Sequence, residues 1–219
     1  MLTQYNVPLA KPKQSYHQYH DEKLESIARN ILANYDPELV KQPMPTPIED
    51  IMESAFGLTV EYHPLRKPGQ VLGETIFEDS LVPIYPDGTP DGYKLIFVTA
   101  GTILIDNRLL QEKYEGRLRF TYAHELAHWV IDRQYFMNQS SNLEPLDKPV
   151  SNGAVSAIVE RQADRLASRL LMPKCTVKKA FYQRHGQGQD IVLDLSQLYQ
   201  VSKQAMKIRL EQLGLLRSV

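Results

Sequence analysis

The chain has 219 residues, 42 % hydrophobic and 23 % charged, close to the globular average, so it can bury a sizeable core without staples. A formal net charge of -1 excludes a global field that would hold nucleic acid or an anionic membrane, yet the charge is uneven: residues 1–150 carry 14 Lys/Arg against 21 Asp/Glu, and residues 151–219 carry 11 against 5. The single cysteine, Cys175, excludes an internal disulfide framework and a Cys-based zinc knuckle.

Residues 1–20 are polar, proline-bearing and spotted with Tyr16, His17, Tyr19 and His20, and read as a loosely ordered lead-in without the apolar core of a signal peptide. Leu24, Ile27, Ala28, Ile31 and Leu32 recur at helical spacing, which predicts a helix over 21–35. Three alternate prolines up to Pro47 hold the chain extended, and residues 48–56 read as a short helix that stops at Gly57. Strand patterns follow at 58–62, 71–77, 81–85, 95–98 and 102–105, with turn signals at Asp87-Gly88 and Asp91-Gly92, which predicts a small, mainly antiparallel sheet. From Arg108 onward the pattern is helical: 108–113, 116–134, 153–171, 175–185, 190–199 and 202–213, with a polar loop expected over 136–152. The most apolar run, residues 95–105, is too short to span a bilayer, and the chain reads as soluble and cytoplasmic. The acidic part and the basic tail are expected to face each other.

The strongest chemical signal is His124-Glu125-Leu126-Ala127-His128, inside a helical pattern. Histidines four apart project from one helix face about 40° apart, so both imidazoles can reach one metal ion. Glu125 sits beside that face, oblique for a ligand but well placed for a metal-bound water: two His ligands and a Glu general base, the zinc-hydrolase arrangement. The plainer reading is a helix with two solvated or satisfied histidines.

Zinc needs a third protein ligand that leaves one position for water. Ile131 and Gln134 stand where a metzincin carries Gly and His, so the ligand must come from elsewhere. Downstream, Glu160 and Asp164 share a face of the next strong helix: Glu160 to bind zinc, Asp164 to bond the free nitrogen of a ligand His. Ala123 and Ala127 flank the histidine face and Ala163 and Ala167 the Glu160 face, which lets the two helices approach closely. The rivals are Asp132, which points along its helix, and Glu144, which lies in the polar loop.

Residues 119–128 (RFTYAHELAH), Glu160 with Ala163-Asp164, Leu170-Leu-Met-Pro173, and Val201-Ser202 with Ala205-Met206 and Arg209-Leu210 together resemble the ImmA/IrrE family of zinc metallopeptidases, over roughly residues 48–215. Ala127 and Asp164 depart from residues common there, Gly and Asn. The resemblance implies an α+β, zincin-like fold, with a small mainly antiparallel sheet packed on a helical bundle that carries the histidine motif and a C-terminal helix pair. It implies one domain over 21–219, with the pair 190–213 part of it, and one zinc per chain held by His124, His128 and Glu160, with Glu125 as catalytic acid/base and Asp164 behind a ligand. It also implies cleavage of a separate helix-turn-helix repressor that controls stress or mobile-element genes.

Two other functions compete: a metal-bound regulator that sequesters a repressor uncut, and DNA binding through the C-terminal pair with Lys203, Lys207 and Arg209. The pair is instead expected to pack on the catalytic domain, which makes direct nucleic-acid binding the weaker reading. Tyr135, Tyr182 and His185 have the right type to stabilise an oxyanion, Tyr122 is expected in the core, and Cys175 is expected to be a buried spectator.

Overall fold

The computed structural model describes residues 16–65, 71–86, 89, 92–140, 153–184 and 190–216. The turn signals at Asp87, Gly88 and Asp91, the candidates Glu144 and His185, and the loop from 141 to 152 lie outside them. Helix α1 (Asp21–Tyr35) buries Leu24, Ala28 and Leu32, the stripe that its periodicity marks. The prolines that follow run without regular structure to α2 (Ile48–Asp50), which continues as one π-helical turn, Ile51–Ala55. The extended segment is clamped between helices: Thr46 Oγ1 donates to Leu170 O at 2.8 Å, and Arg119 donates to Thr46 O at 2.7 Å. Gly57 turns the chain with φ +64°, a conformation that favours glycine.

Among the described residues five strands follow: β1 (Thr59–His63), β2 (Gly73–Thr75), β3 (Ser80–Ile84), β4 (Lys94–Val98) and β5 (Thr102–Asp106). They divide into two sheets. One has the order β1-β5-β2, and the other is the antiparallel pair β3-β4. β2 runs antiparallel to β5, but β1 runs parallel to it, which period-two patterning does not reveal. Every residue of β5 is buried, as a central strand covered on both faces requires. Ile103 and Ile105 belong to the helical core, while Leu104 packs with Leu65, Ile76, Val82 and Val98 under the β3-β4 pair.

The helical layer contains α3 (Glu115–Ile131), α4 (Arg133–Ser140), α5 (Gly153–Leu171), α6 (Lys174–Arg184), α7 (Ile191–Tyr199) and α8 (Lys203–Gln212). The expected helix at 108–113 is two short 3-10 turns, and the expected loop gives way to helix as far as Ser140. Ala123, Ala127, Ala163 and Ala167 are fully buried where α3 and α5 pack, the close approach expected of small residues.

The core is continuous from Leu24 through Leu126 and Leu166 to Leu210. Truncating a fully buried leucine such as Leu24 or Leu166 to alanine costs about 2–5 kcal/mol. The basic tail meets the acidic first helix: Arg165 and Arg169 both bond Asp21, and Arg209 reaches Glu25 at 2.7 Å. Arg209 is itself buried and donates to Met172 O at 3.0 Å, so α8 is tied to the end of α5. Cys175 is exposed, contrary to the sequence reading, because Lys174 and Cys175 lie on the outer side of the first turn of α6 while Thr176 and Val177 turn inward; its Sγ lies near Val40 O. Among the described residues no helix is long and apolar enough to cross a membrane.

Candidate metal centre

Helix α3 lies between β2 on one side and α5 on the other, and is buried around much of its circumference. Tyr122 faces the core, where its hydroxyl meets Tyr62 and Glu49. His124 and His128 face α5. Their Nε2 atoms lie 2.9 Å apart, and Glu160 Oε2 lies 3.3 Å from that of His124 and 3.8 Å from that of His128. One ligand atom from each of the three lies within 4.8 Å of the others, a group that could hold a metal ion.

The far side of each ring is tied down. His124 Nδ1–H donates to Asp164 Oδ1 at 2.9 Å, across the helix interface. His128 Nδ1–H donates to Asp132 Oδ2 at 2.7 Å, one turn on along its own helix. Both bonds set the tautomer that leaves the Nε2 lone pair free to bind a metal. Asp132 is therefore not a rival ligand in this arrangement. Pointing along the helix axis puts it behind His128, where sequence spacing of four could have placed it.

Burial alone would lower the imidazole pKa values, but the bonds from Asp164 and Glu160 hold His124 up at about 9, and those from Asp132 and Glu160 hold His128 at about 10. The two imidazoles in turn pull the Glu160 carboxyl well below the usual range. The carboxylates thus favour proton binding by the imidazoles, so metal uptake, which needs the Nε2 lone pairs, is coupled to proton release.

Glu125 is buried on the β2 side of the helix, and burial raises its pKa, opposed by the nearby imidazoles and by Thr75. Thr75 Oγ1 lies 2.7 Å from Glu125 Oε2 and 3.0 Å from its backbone oxygen. Gly73, two residues earlier on the same face of β2, leaves no room for a side chain against Glu125: a Cβ there would lie 2.5 Å from Oε1. Sequence reasoning did not single out Gly73 or Thr75. A glycine within a strand pattern is the signal that points to such an approach.

A cavity of about 700 Å³ opens over these groups, walled by β2, Phe77, Phe120 and Phe136. A second groove of about 610 Å³ runs between α3, α5 and α8, and Phe120 and Asp164 line both. Of the oxyanion candidates, Tyr182 is exposed on α6, and Tyr135 packs against Tyr16 and Phe136; neither lines the cavity.

Two imidazoles and a carboxylate able to hold a metal, beside a buried glutamate at a sheet edge, make a donor set of the kind that metal-dependent hydrolases use. A family profile described as Peptidase_M78, IrrE N-terminal-like domain, matches residues 82–211, more than half of the chain. The chain belongs to this ImmA/IrrE family, a family of metallopeptidases. No curated protein matches it. A solved structure described as a Mycobacterium tuberculosis transcriptional regulator is similar at 16 % identity and a TM-score of 0.51, over 87 % of this chain and 46 % of that one. That likeness is one of fold, and the chain spans about half the length of that structure.

Proposed function

We propose that the chain is a zinc-dependent endopeptidase, with one zinc per chain, that cleaves a separate helix-turn-helix repressor in the cytoplasm and so derepresses stress or mobile-element genes. The observation that carries the peptidase reading is the convergence of His124, His128 and Glu160 next to buried Glu125. The choice of a repressor as substrate rests on the family resemblance.

His124, His128 and Glu160 would hold the zinc, since two imidazoles with oriented Nε2 atoms and one carboxylate suit that ion and leave a position open. Bound there, zinc supplies a Lewis acid that polarises a carbonyl and acidifies a water. Glu125 accepts the proton of the attacking water at a carboxylate oxygen and delivers it to the leaving amine. A carboxyl whose pKa is raised by burial suits both halves of that transfer. Thr75 donates to the same carboxylate and fixes its rotamer.

β2 is an outer strand, paired with β5 on one side, and its residues line the cavity. An extended substrate segment can add to its outer edge, which pairs with no strand among the described residues, with the aromatic walls receiving its side chains. We also infer that residues 21–219 act as one domain that includes the pair 190–213; the continuous core supports this. Arg209, one of three basic residues that DNA could use, is buried on Glu25 and Met172, which favours packing over nucleic-acid contact.

The test is Glu125→Gln, nearly isosteric and unable to take a proton. Zinc stays, a co-encoded helix-turn-helix protein still binds, and cleavage drops by at least about a hundredfold, the contribution typical of a general base. If the variant relieves repression in cells as well as the parent does, sequestration without cleavage replaces this reading.

A further inference from the structure

Residues 16–20, the part of the N-terminal lead-in that the structure describes, are docked against α4, α5 and the C-terminal end of α3, behind the candidate metal centre. Tyr16 donates its hydroxyl proton to Asp132 Oδ1. The same hydroxyl accepts from Gln162 Nε2 at 2.8 Å, which also donates to His17 O at 3.0 Å, while Gln162 Oε1 accepts from Tyr19 N. Gln162 is buried on α5, and the Tyr16 ring stands edge-on to Tyr135 of α4, with centroids 5.0 Å apart. The segment thus joins α3, α4 and α5 at one point.

That point is linked to a candidate ligand, His128, through one side chain, Asp132. Asp132 is fully buried and uses its two oxygens on two donors, His128 Nδ1–H on Oδ2 and Tyr16 on Oδ1. A buried carboxylate held by one donor can swing about its side-chain torsion. A second donor on the other oxygen fixes its plane, and with it the direction of the imidazole that it holds. Burial and the neighbouring carboxylate raise the phenol pKa, so the hydroxyl stays a donor.

Resting on the metal reading above, we propose that Tyr16 is a positioning residue for the metal centre, acting on His128 through Asp132. The N-terminal segment is then part of the machinery that sets metal affinity, and not only a covering of the core.

The test is a double-mutant cycle of zinc affinity, by chelator competition on the full chain, with Tyr16→Phe, Asp132→Asn and the pair. Phe keeps the ring on Tyr135, and Gln162 still reaches His17 and Tyr19, so the segment stays docked. The expected result is a loss of roughly three- to tenfold for Tyr16→Phe, a larger loss of roughly ten- to a hundredfold for Asp132→Asn, and a pair no weaker than Asp132→Asn within about twofold. A second readout is the visible absorption of the cobalt-loaded protein at saturating metal, where Tyr16→Phe shifts the bands if the imidazole direction changes. Affinity within about twofold of the parent together with an unchanged cobalt spectrum overturns the proposal. So does an equal loss with and without Asp132, which would mean that the hydroxyl only helps to dock the segment. A parent chain that binds no zinc overturns the metal reading itself, a separate outcome.

Discussion

Gly73 and Glu125 are in such close contact that a methyl group on the glycine would lie 2.5 Å from Glu125 Oε1 and 2.8 Å from its Cγ. β2 and α3 meet at this pair, so the position of the proposed general base depends on a strand residue with no side chain.

Gly73→Ala is therefore expected to displace Glu125 while leaving the candidate metal ligands, none of which is among the atoms nearest the added methyl group, in place. Overpacking of this kind costs about 1–3 kcal/mol. Thermal unfolding should register that loss, zinc content should stay near that of the parent, and cleavage should fall at least tenfold, on the order of a misplaced base. Unchanged cleavage would show that Glu125 is not held by this contact.

Zinc occupancy should be about one per chain, and should fall sharply in His124→Ala, His128→Ala and Glu160→Ala, read by elemental analysis after dialysis. Asp164→Ala removes only the carboxylate behind His124, so it should keep the fold and weaken zinc by roughly ten- to a hundredfold. Full occupancy in Glu160→Ala would move the third ligand elsewhere, and unchanged affinity in Asp164→Ala would make its bond to His124 incidental.

Asp106 closes β5 with a buried carboxylate that accepts from Arg108 Nε at 2.6 Å, Arg108 Nη2 at 2.7 Å and the backbone N–H groups of Arg108 and Leu65. Burial pushes its pKa up, but these donors outweigh it, and the folded-state value lies below the ordinary one. A carboxylate with a depressed pKa stabilises the fold fully above the unfolded value of about 4, and that contribution is lost as pH falls through the folded value. Urea unfolding of the metal-free chain should therefore show stability declining below about pH 4, with a shallower decline in Asp106→Asn. Parallel declines would assign the acid sensitivity to other carboxylates.

The helix bounds 21–35 and 153–171, the histidine motif, and the pairing of Asp164 with a histidine were legible in the sequence, because each follows from the period of a single helix or from two strong helical patterns with small residues between them. The parallel pairing of β1 with β5, the separation of the strands into two sheets, and the docking of residues 16–20 were decided by tertiary structure. Period-two alternation shows which strand face is buried, but not which neighbour the strand takes or in which direction. The supports of the site divide in the same way. Asp132, four residues after His128, sat at a readable spacing, yet its role turned on whether the carboxylate points around the metal or behind it. Thr75 lies 50 residues from Glu125, and Tyr16 lies 116 from Asp132 and 146 from Gln162; at such separations no local periodicity links these residues, or Gly73, to the groups that they touch. Packing of β2 against α3, and of the N-terminal segment against α4, α5 and the C-terminal end of α3, brings them there.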